Sequence, residues 1–145
     1  MQGLIVDLRS LTLHELHSSQ FRDLLRLAVE VDEESLLRII DEQLPQLSVI
    51  GAVLNGVVVG FVAFDDSSSP IVIEFIATSE AQRGKGLGRR LVLEVQHSRP
   101  HAEVYAQTDD DAIGFYRKMG FVDTPAATDL RWPERPRYDC VLAPS

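Results

Sequence analysis

The stretch "IVIEFIATSEAQRGKGLGRRLVLEV", residues 71–95, decides the architecture. Residues 71–78 are apolar on both faces except Glu74 and Thr78, which predicts a strand inside a sheet. Residues 86–98 predict a helix, with Leu87, Leu91, Val92 and Val95 facing inward. Between the two, Gly84, Gly86 and Gly88 fall at every second position, with Arg83, Lys85, Arg89 and Arg90 around them. A loop that follows a buried strand and opens a helix presents outward-pointing backbone N–H groups at the positive end of the helix dipole. Glycines let that chain turn tightly and approach a ligand closely. The physical expectation is a local cationic pocket for an anion, phosphate above all.

That pocket is unusual against the rest of the chain. The 145 residues carry 14 basic and 22 acidic side chains, a formal net charge of −8. A nucleic-acid binder ordinarily shows a basic face, so this balance argues against DNA or RNA. A hydrophobic content of 45% supports one domain with a real core, residues 1–145. Cys140 is the one cysteine, which excludes an internal disulfide and a multi-cysteine metal site. His14 and His17 stand three apart without further ligands nearby, so no metal is expected. No apolar run is long enough for a membrane helix and no signal-peptide pattern is present, so no membrane is expected and the cytoplasm is the expected location.

Outward from the glycine loop, residues 4–8 predict an opening strand. Residues 18–30 and 32–44 predict two helices, the first behind a capping serine, the second ended by Pro45. Strands at 47–54 and 57–64 flank Asn55-Gly56, the strongest short hairpin signal. Residues 101–108 predict a strand, and 109–121 a helix with an aspartate cap and Gly120 at its end. Residues 122–136 hold three prolines and read as an irregular loop, and 137–143 close as a strand. The order β-α-α-β-β-β-α-β-α-β predicts an α/β (α+β) fold. Its mixed sheet has six to seven strands and about four helices, with a parallel step around the glycine loop.

Two phosphate motifs fail on spacing. A Walker loop needs Ser or Thr after its lysine, and Gly86 follows Lys85. A dinucleotide fingerprint has Gly-x-Gly-x-x-Gly near a first strand, whereas this loop is Gly-x-Gly-x-Gly in mid-chain. "QRGKGLGRRLV" instead resembles the acyl-CoA pyrophosphate loop of the GNAT N-acetyltransferase superfamily, through Arg83, Gly86 and Gly88. "TDDDAIGFYRKMGF", residues 108–121, resembles the same family's next motif through Ala112, Tyr116, Gly120 and Phe121. The likeness is strongest over residues 71–121 and loose in the tail.

The resemblance implies a GNAT-like domain that uses acetyl-CoA as cosubstrate and no metal. It implies that the backbone of Ile76, Ala77 and Thr78 binds the pantetheine arm. It implies that amides from Arg83 through Gly84, Lys85, Gly86, Leu87 and Gly88 to Arg89 hold the pyrophosphate. Tyr116 is implied as general acid to the leaving thiolate. Family members often carry asparagine where this chain has Asp109, which leaves that cofactor contact in doubt; the Asp109–Asp111 run reads as a solvated cap. For the base, Glu74 is the first candidate, since it interrupts an apolar strand; its plainer reading is a sheet-end residue that reaches solvent. Glu103 and His101 are reserves. The implied reaction is direct attack of a primary amine, from a small molecule or a peptide. The alternative is a non-catalytic acyl-CoA-binding regulatory module. Trp132 and Arg131 read as pins for the 122–136 loop. An open sheet leaves edge strands for a second copy to cover, so a homodimer is compatible with this reading.

Overall fold

The computed structural model describes residues 5–145. Seven strands form one sheet in the order β1-β2-β3-β4-β5-β7-β6. They are β1 (Asp7–Ser10), β2 (Ser48–Leu54), β3 (Val57–Asp65), β4 (Ile71–Thr78), β5 (Val104–Asp109), β6 (Val122–Ala126) and β7 (Arg137–Leu142). The helices are α1 (Leu13–Leu16), α2 (Ser19–Ala28), α3 (Glu33–Arg38), α4 (Leu87–Ser98) and α5 (Ile113–Lys118). All strand pairs are antiparallel except β4 with β5. That exception is the parallel step expected around the glycine loop, and α4 is its crossover.

Each element has a local cause. Asn55 and Gly56 both take positive φ, 52° and 77°, the geometry that a two-residue hairpin turn between twisted strands requires. Ser18 and Asp32 cap α2 and α3 by accepting from the backbone N–H groups of Phe21 and Ser35. The sheet separates two apolar cores. On one side α4 and α5 bury Leu91, Val92, Val95 and Tyr116 against Val62, Ile71, Val104 and Cys140. On the other, α2 and α3 bury Phe21, Leu25 and Leu36 against Phe61 and Ala63. Phe21 and Phe61 are fully buried, with ring centroids 4.8 Å apart.

Four expectations are corrected. The opening strand lies at Asp7–Ser10, two to three residues later than read; residue 4 falls outside the described residues. The second helix does not run to residue 44. It stays α-helical to Arg38 and then widens, with the Leu44 N–H donating to the Ile39 carbonyl five residues back, before a 3₁₀ turn at Leu44–Gln46. Pro45 explains this, because its ring cannot pass the carbonyl four residues earlier in a regular helix. The short helix α1 went unread, although Thr12 and Glu15 form a complete capping box. Finally, residues 122–126 are not loop but strand β6, which pairs with β7 at the sheet edge. Pro125 is tolerated there because an edge strand can spare one N–H.

Glu15 ties this start together. Its carboxylate takes two hydrogen bonds from Arg9, at 2.8 and 2.7 Å, and one from the Thr12 N–H at 2.9 Å. The Arg9 bonds first, then the Thr12 N–H, lower its pKa from 4.5 to about 2. A carboxylate whose folded pKa is depressed contributes stability above its unfolded pKa and loses it as pH falls through the folded one. The melting temperature of Glu15→Gln should therefore lie below that of the wild type at pH 7, and the gap should close between pH 4.5 and 2. Melts across that range test it; a gap that persists at pH 2 would contradict the assignment.

Candidate active site

The site exists because two neighbouring strands part. β4 and β5 pair only at Ile71–Val104, Val72–Tyr105 and Ile73–Ala106. β4 then runs on to Thr78 and β5 to Asp109 with no pairing between them. On its other side β4 stays paired with β3 up to Gly60–Thr78. From Glu74 onward, β4 therefore offers a strand edge with one free side, in the middle of the sheet.

A β-bulge sits where the strands separate. Phe64 pairs with Ile73 and Ala63 with Phe75, so Glu74 has no partner on β3. A bulge adds one residue, bends the strand and re-aims the side chains that follow. Ile73 packs in the α4–α5 core and Phe75 against the α2–α3 core. Glu74 is exposed. Burial by its surroundings, then the nearby Asp65 carboxylate, raise its pKa. That is the direction a group needs to accept a proton near neutral pH.

The gap opens into a cleft of about 870 Å³. Of the candidate catalytic and cofactor residues singled out from sequence, Glu74, Ile76, Ala77, Thr78, Arg83, Gly88 and Tyr116 line it, as do Asp109, Asp111, Ala112, Arg131 and Trp132. Gly84, Lys85 and Gly86 lie on the exposed loop beside it, Arg89 is exposed in the first turn of α4, and the Leu87 side chain is core. His101 and Glu103 are exposed and do not line it.

The glycines of the loop have two different reasons. Gly84 and Gly86 take φ of 78° and 79°, a left-handed turn into α4, with open space where a Cβ would stand. Gly88 is inside α4, and a Cβ there would come within 2.6 Å of the Phe115 ring. The loop helix and the tyrosine helix thus interlock through a missing side chain. Among the described residues, Arg83, Lys85 and Arg89 make no ion pair, whereas Arg9, Arg26, Arg117, Arg131 and Arg135 each hold an acid. These three side chains therefore carry unspent positive charge, Arg83 in the cleft wall and Lys85 and Arg89 exposed beside it.

Tyr116 enters from α5 on the opposite wall. Its ring is 6% exposed, edge-on to Phe115 and Phe121 with centroids 5.1 and 5.2 Å away. Its hydroxyl makes no hydrogen bond to a described side chain. Burial above all, then the neighbouring Cys140 and Asp109, push its pKa up, so the group keeps its proton. A protonated hydroxyl that faces a cleft without a partner is a proton donor in waiting.

The Asp109–Asp111 run is solvated, as read from sequence, but it braces the turn before α5 and does not cap the helix itself. Asp109 Oδ1 does accept from the N–H groups of Asp111 and Ala112, at 3.0 and 3.1 Å. All three carboxylates also meet Arg135, at 3.1, 3.4 and 2.6 Å. Arg135, rather than Trp132 or Arg131, thereby fastens the 127–136 segment to the site; Arg131 pairs with Asp129 and stacks on Trp132 at 4.6 Å. Sequence reading also missed Leu27–Glu30 at the end of α2, Gln107, and Arg137 in the cleft wall. No local motif marks these residues, and only the packing of distant elements brings them together.

A mixed sheet opened between two central strands, with a left-handed glycine loop at the gap and a tyrosine facing it, defines an acyltransferase-type architecture. The family model for the acetyltransferase (GNAT) family matches residues 11–121, and the chain belongs to that family. No curated sequence matches significantly. An aminoglycoside 6'-N-acetyltransferase solved with coenzyme A shares the fold, with a TM-score of 0.75 and 17% identity over 96% of each chain. The ribosomal-protein-S18-alanine N-acetyltransferase from Escherichia coli gives 0.73 and 17%, over 97% of this chain and 95% of that one. Ard1 from Thermoplasma volcanium gives 0.73 and 21%, over 94% and 96%. At such identities the likeness is one of fold. Among the described residues no helix is long and apolar enough to cross a membrane, and no group of three metal-ligating side chains occurs.

Backbone conformation separates two glycines that both have room for a methyl group. Gly86→Ala should cost about 1–2 kcal/mol, because alanine is strained at positive φ. Gly114→Ala, in α5 with nothing within 4 Å of the added carbon, should gain about 0.5–1 kcal/mol. Urea unfolding of the two variants checks the pair; equal effects would contradict the loop conformation.

Proposed function

We propose that residues 1–145 form one N-acetyltransferase domain that moves an acetyl group from acetyl-CoA to a primary amine by direct attack. The observation that carries this is a convergence. One cleft brings together the free edge of β4, the start of α4 with its unpaired cations, and the unpartnered Tyr116 hydroxyl.

In this reading the free side of β4 at Ile76, Ala77 and Thr78 receives the amides of the pantetheine arm as an added strand would. The backbone N–H groups from Arg83 to Arg89 hold the pyrophosphate, aided by the helix dipole and the arginine and lysine charges. Acetyl-CoA supplies an activated thioester. Glu74, directly or through water, takes the proton that an ammonium must lose before it can attack. Tyr116 gives its proton to the departing thiolate. Glu74 then releases its proton to water and Tyr116 regains one from water, which returns the protein to its starting state with no covalent enzyme intermediate. Cys140 is buried with its pKa raised by burial, then by Asp123 and Asp139, which disfavours a nucleophilic thiolate.

Calorimetric titration with acetyl-CoA tests the cofactor half: wild type binds and Gly86→Glu, which sets a carboxylate in the anion loop, does not. Absence of binding to folded wild type would refute the reading. For the chemistry, Tyr116→Phe should lower kcat about 10²-fold while acetyl-CoA affinity stays within a factor of two. An unchanged rate would remove Tyr116 as the acid; a chain that binds but never turns over any amine would be a binding module. Glu74→Gln should lower kcat/KM for the amine about 10-fold or more at pH 7, with the loss shrinking as pH rises and the free amine accumulates.

A further inference from the structure

The cleft continues past Glu74 on the α2–α3 side of the sheet, and its far wall contains Arg137. Arg137 sits at the start of β7, paired in register with Asp109 of β5. Its neighbours provide no counter-ion. Nη2 donates to the Gln107 side-chain carbonyl at 3.3 Å. Nε is buried and has no hydrogen-bond partner, the one buried side-chain nitrogen or oxygen so placed among the described residues. No carboxylate of a described residue lies within 4.0 Å of the guanidinium. Asp129 feels its charge but is engaged by Arg131, and the Asp109–Asp111 carboxylates are engaged by Arg135.

This arrangement is held in place. Tyr105 donates to Asp139, and Gln107 Nε2 donates to the same oxygen at 3.2 Å. That leaves the Gln107 carbonyl fixed toward Arg137. A neutral carbonyl orients the guanidinium without spending its charge. Burying the Nε–H of a partly exposed guanidinium without a partner is costly, and its planar fork of N–H donors matches a carboxylate. In a chain of net charge −8, an arginine kept from every acid nearby marks a place where an anion arrives.

We propose that the acceptor is an amine that also carries a carboxylate, an amino acid or a compound of that class, with the carboxylate on Arg137 and the amine at Glu74. This deepens the acetyltransferase reading and rests on it. Glu74 follows Ile73, whose partner on β5 is Ala106, so Glu74 faces Gln107 across the gap, with β7 one strand further. Arg137 lies opposite Asp109, two residues beyond Gln107, so the two backbones stand further apart than the about 10 Å of two strand spacings, and the acceptor bridges what remains after both long side chains reach inward. Opposite charges at the two ends of the acceptor meet opposite charges in the cleft, and a plain diamine meets repulsion at Arg137.

The test follows the Arg137 Nε–H resonance in ¹⁵N-labelled full-length protein saturated with CoA. The probes are N-acetyl derivatives of free amino acids, which are products of the proposed reaction, each against its neutral carboxamide. At least one acid should shift the Arg137 resonance while its carboxamide does not, and the signal should be missing in Arg137→Gln. In parallel, CoA release from acetyl-CoA with the corresponding free amino acid should fall about 10-fold or more in kcat/KM for Arg137→Gln, mainly through KM. The decarboxylated amine should lose no more than twofold. Equal response to acids and amides, no response to any acid, or an acceptor preference untouched by Arg137→Gln would overturn the proposal. Failure of the wild type to bind acetyl-CoA would instead overturn the reading beneath it, and Arg137→Gln should leave that binding unchanged.

Discussion

Everything in this molecule depends on β4 and β5 ceasing to pair after Ile73. Interior strands of a sheet normally spend both rows of backbone donors and acceptors on their neighbours. Here one row is withheld from Glu74 onward, with a bulge at the point of separation. The cost is borne by the rest of the sheet: the five antiparallel pairings remain intact, and two apolar cores grip its faces. The gain is a polar slot lined by main chain in the centre of the protein. The glycine loop, Tyr116 and Arg137 acquire meaning only because they border that slot.

Charge is distributed in the same spirit. Among the described residues, six of the twelve arginines are paired with the acids that dominate the composition. Those near the cleft fall into two groups. Arg131 and Arg135 are occupied by aspartates; Arg135 closes the 127–136 segment on the site, and Arg131 pairs within that segment. Arg83, Lys85, Arg89 and Arg137 have no such partner. An acidic background makes such residues conspicuous, since available carboxylates have been kept from them by the fold.

Much of this was legible in the sequence where one local signal carried one local outcome. The strand at 71–78, the Asn-Gly hairpin, the α4 face and the left-handed glycines followed from periodicity and backbone sterics. The two family motifs then gave the fold. Legibility failed where local signals competed. Three prolines hid β6, although an edge strand accommodates one. Pro45 was read as a stop when it acts as a change of helical register. Four residues proved too short for α1 to declare itself, despite Thr12 and Glu15. In the candidate site, Glu74, the β4 edge and Tyr116 were nameable in advance because they break or complete a pattern. Gln107, Arg135 and Arg137 were not, because an arginine's partner or lack of one is a property of the packed chain.

The contact between Gly88 and Phe115 links two motifs 27 positions apart in the chain. Because the ring occupies the volume a side chain would need, neither position can drift alone: a larger residue at 88 demands a smaller one at 115. The glycine loop and the tyrosine helix are therefore packed as a unit. A loop transplanted from a distant relative would arrive fitted to another partner, and would have to bring its own residue at 115 to seat correctly.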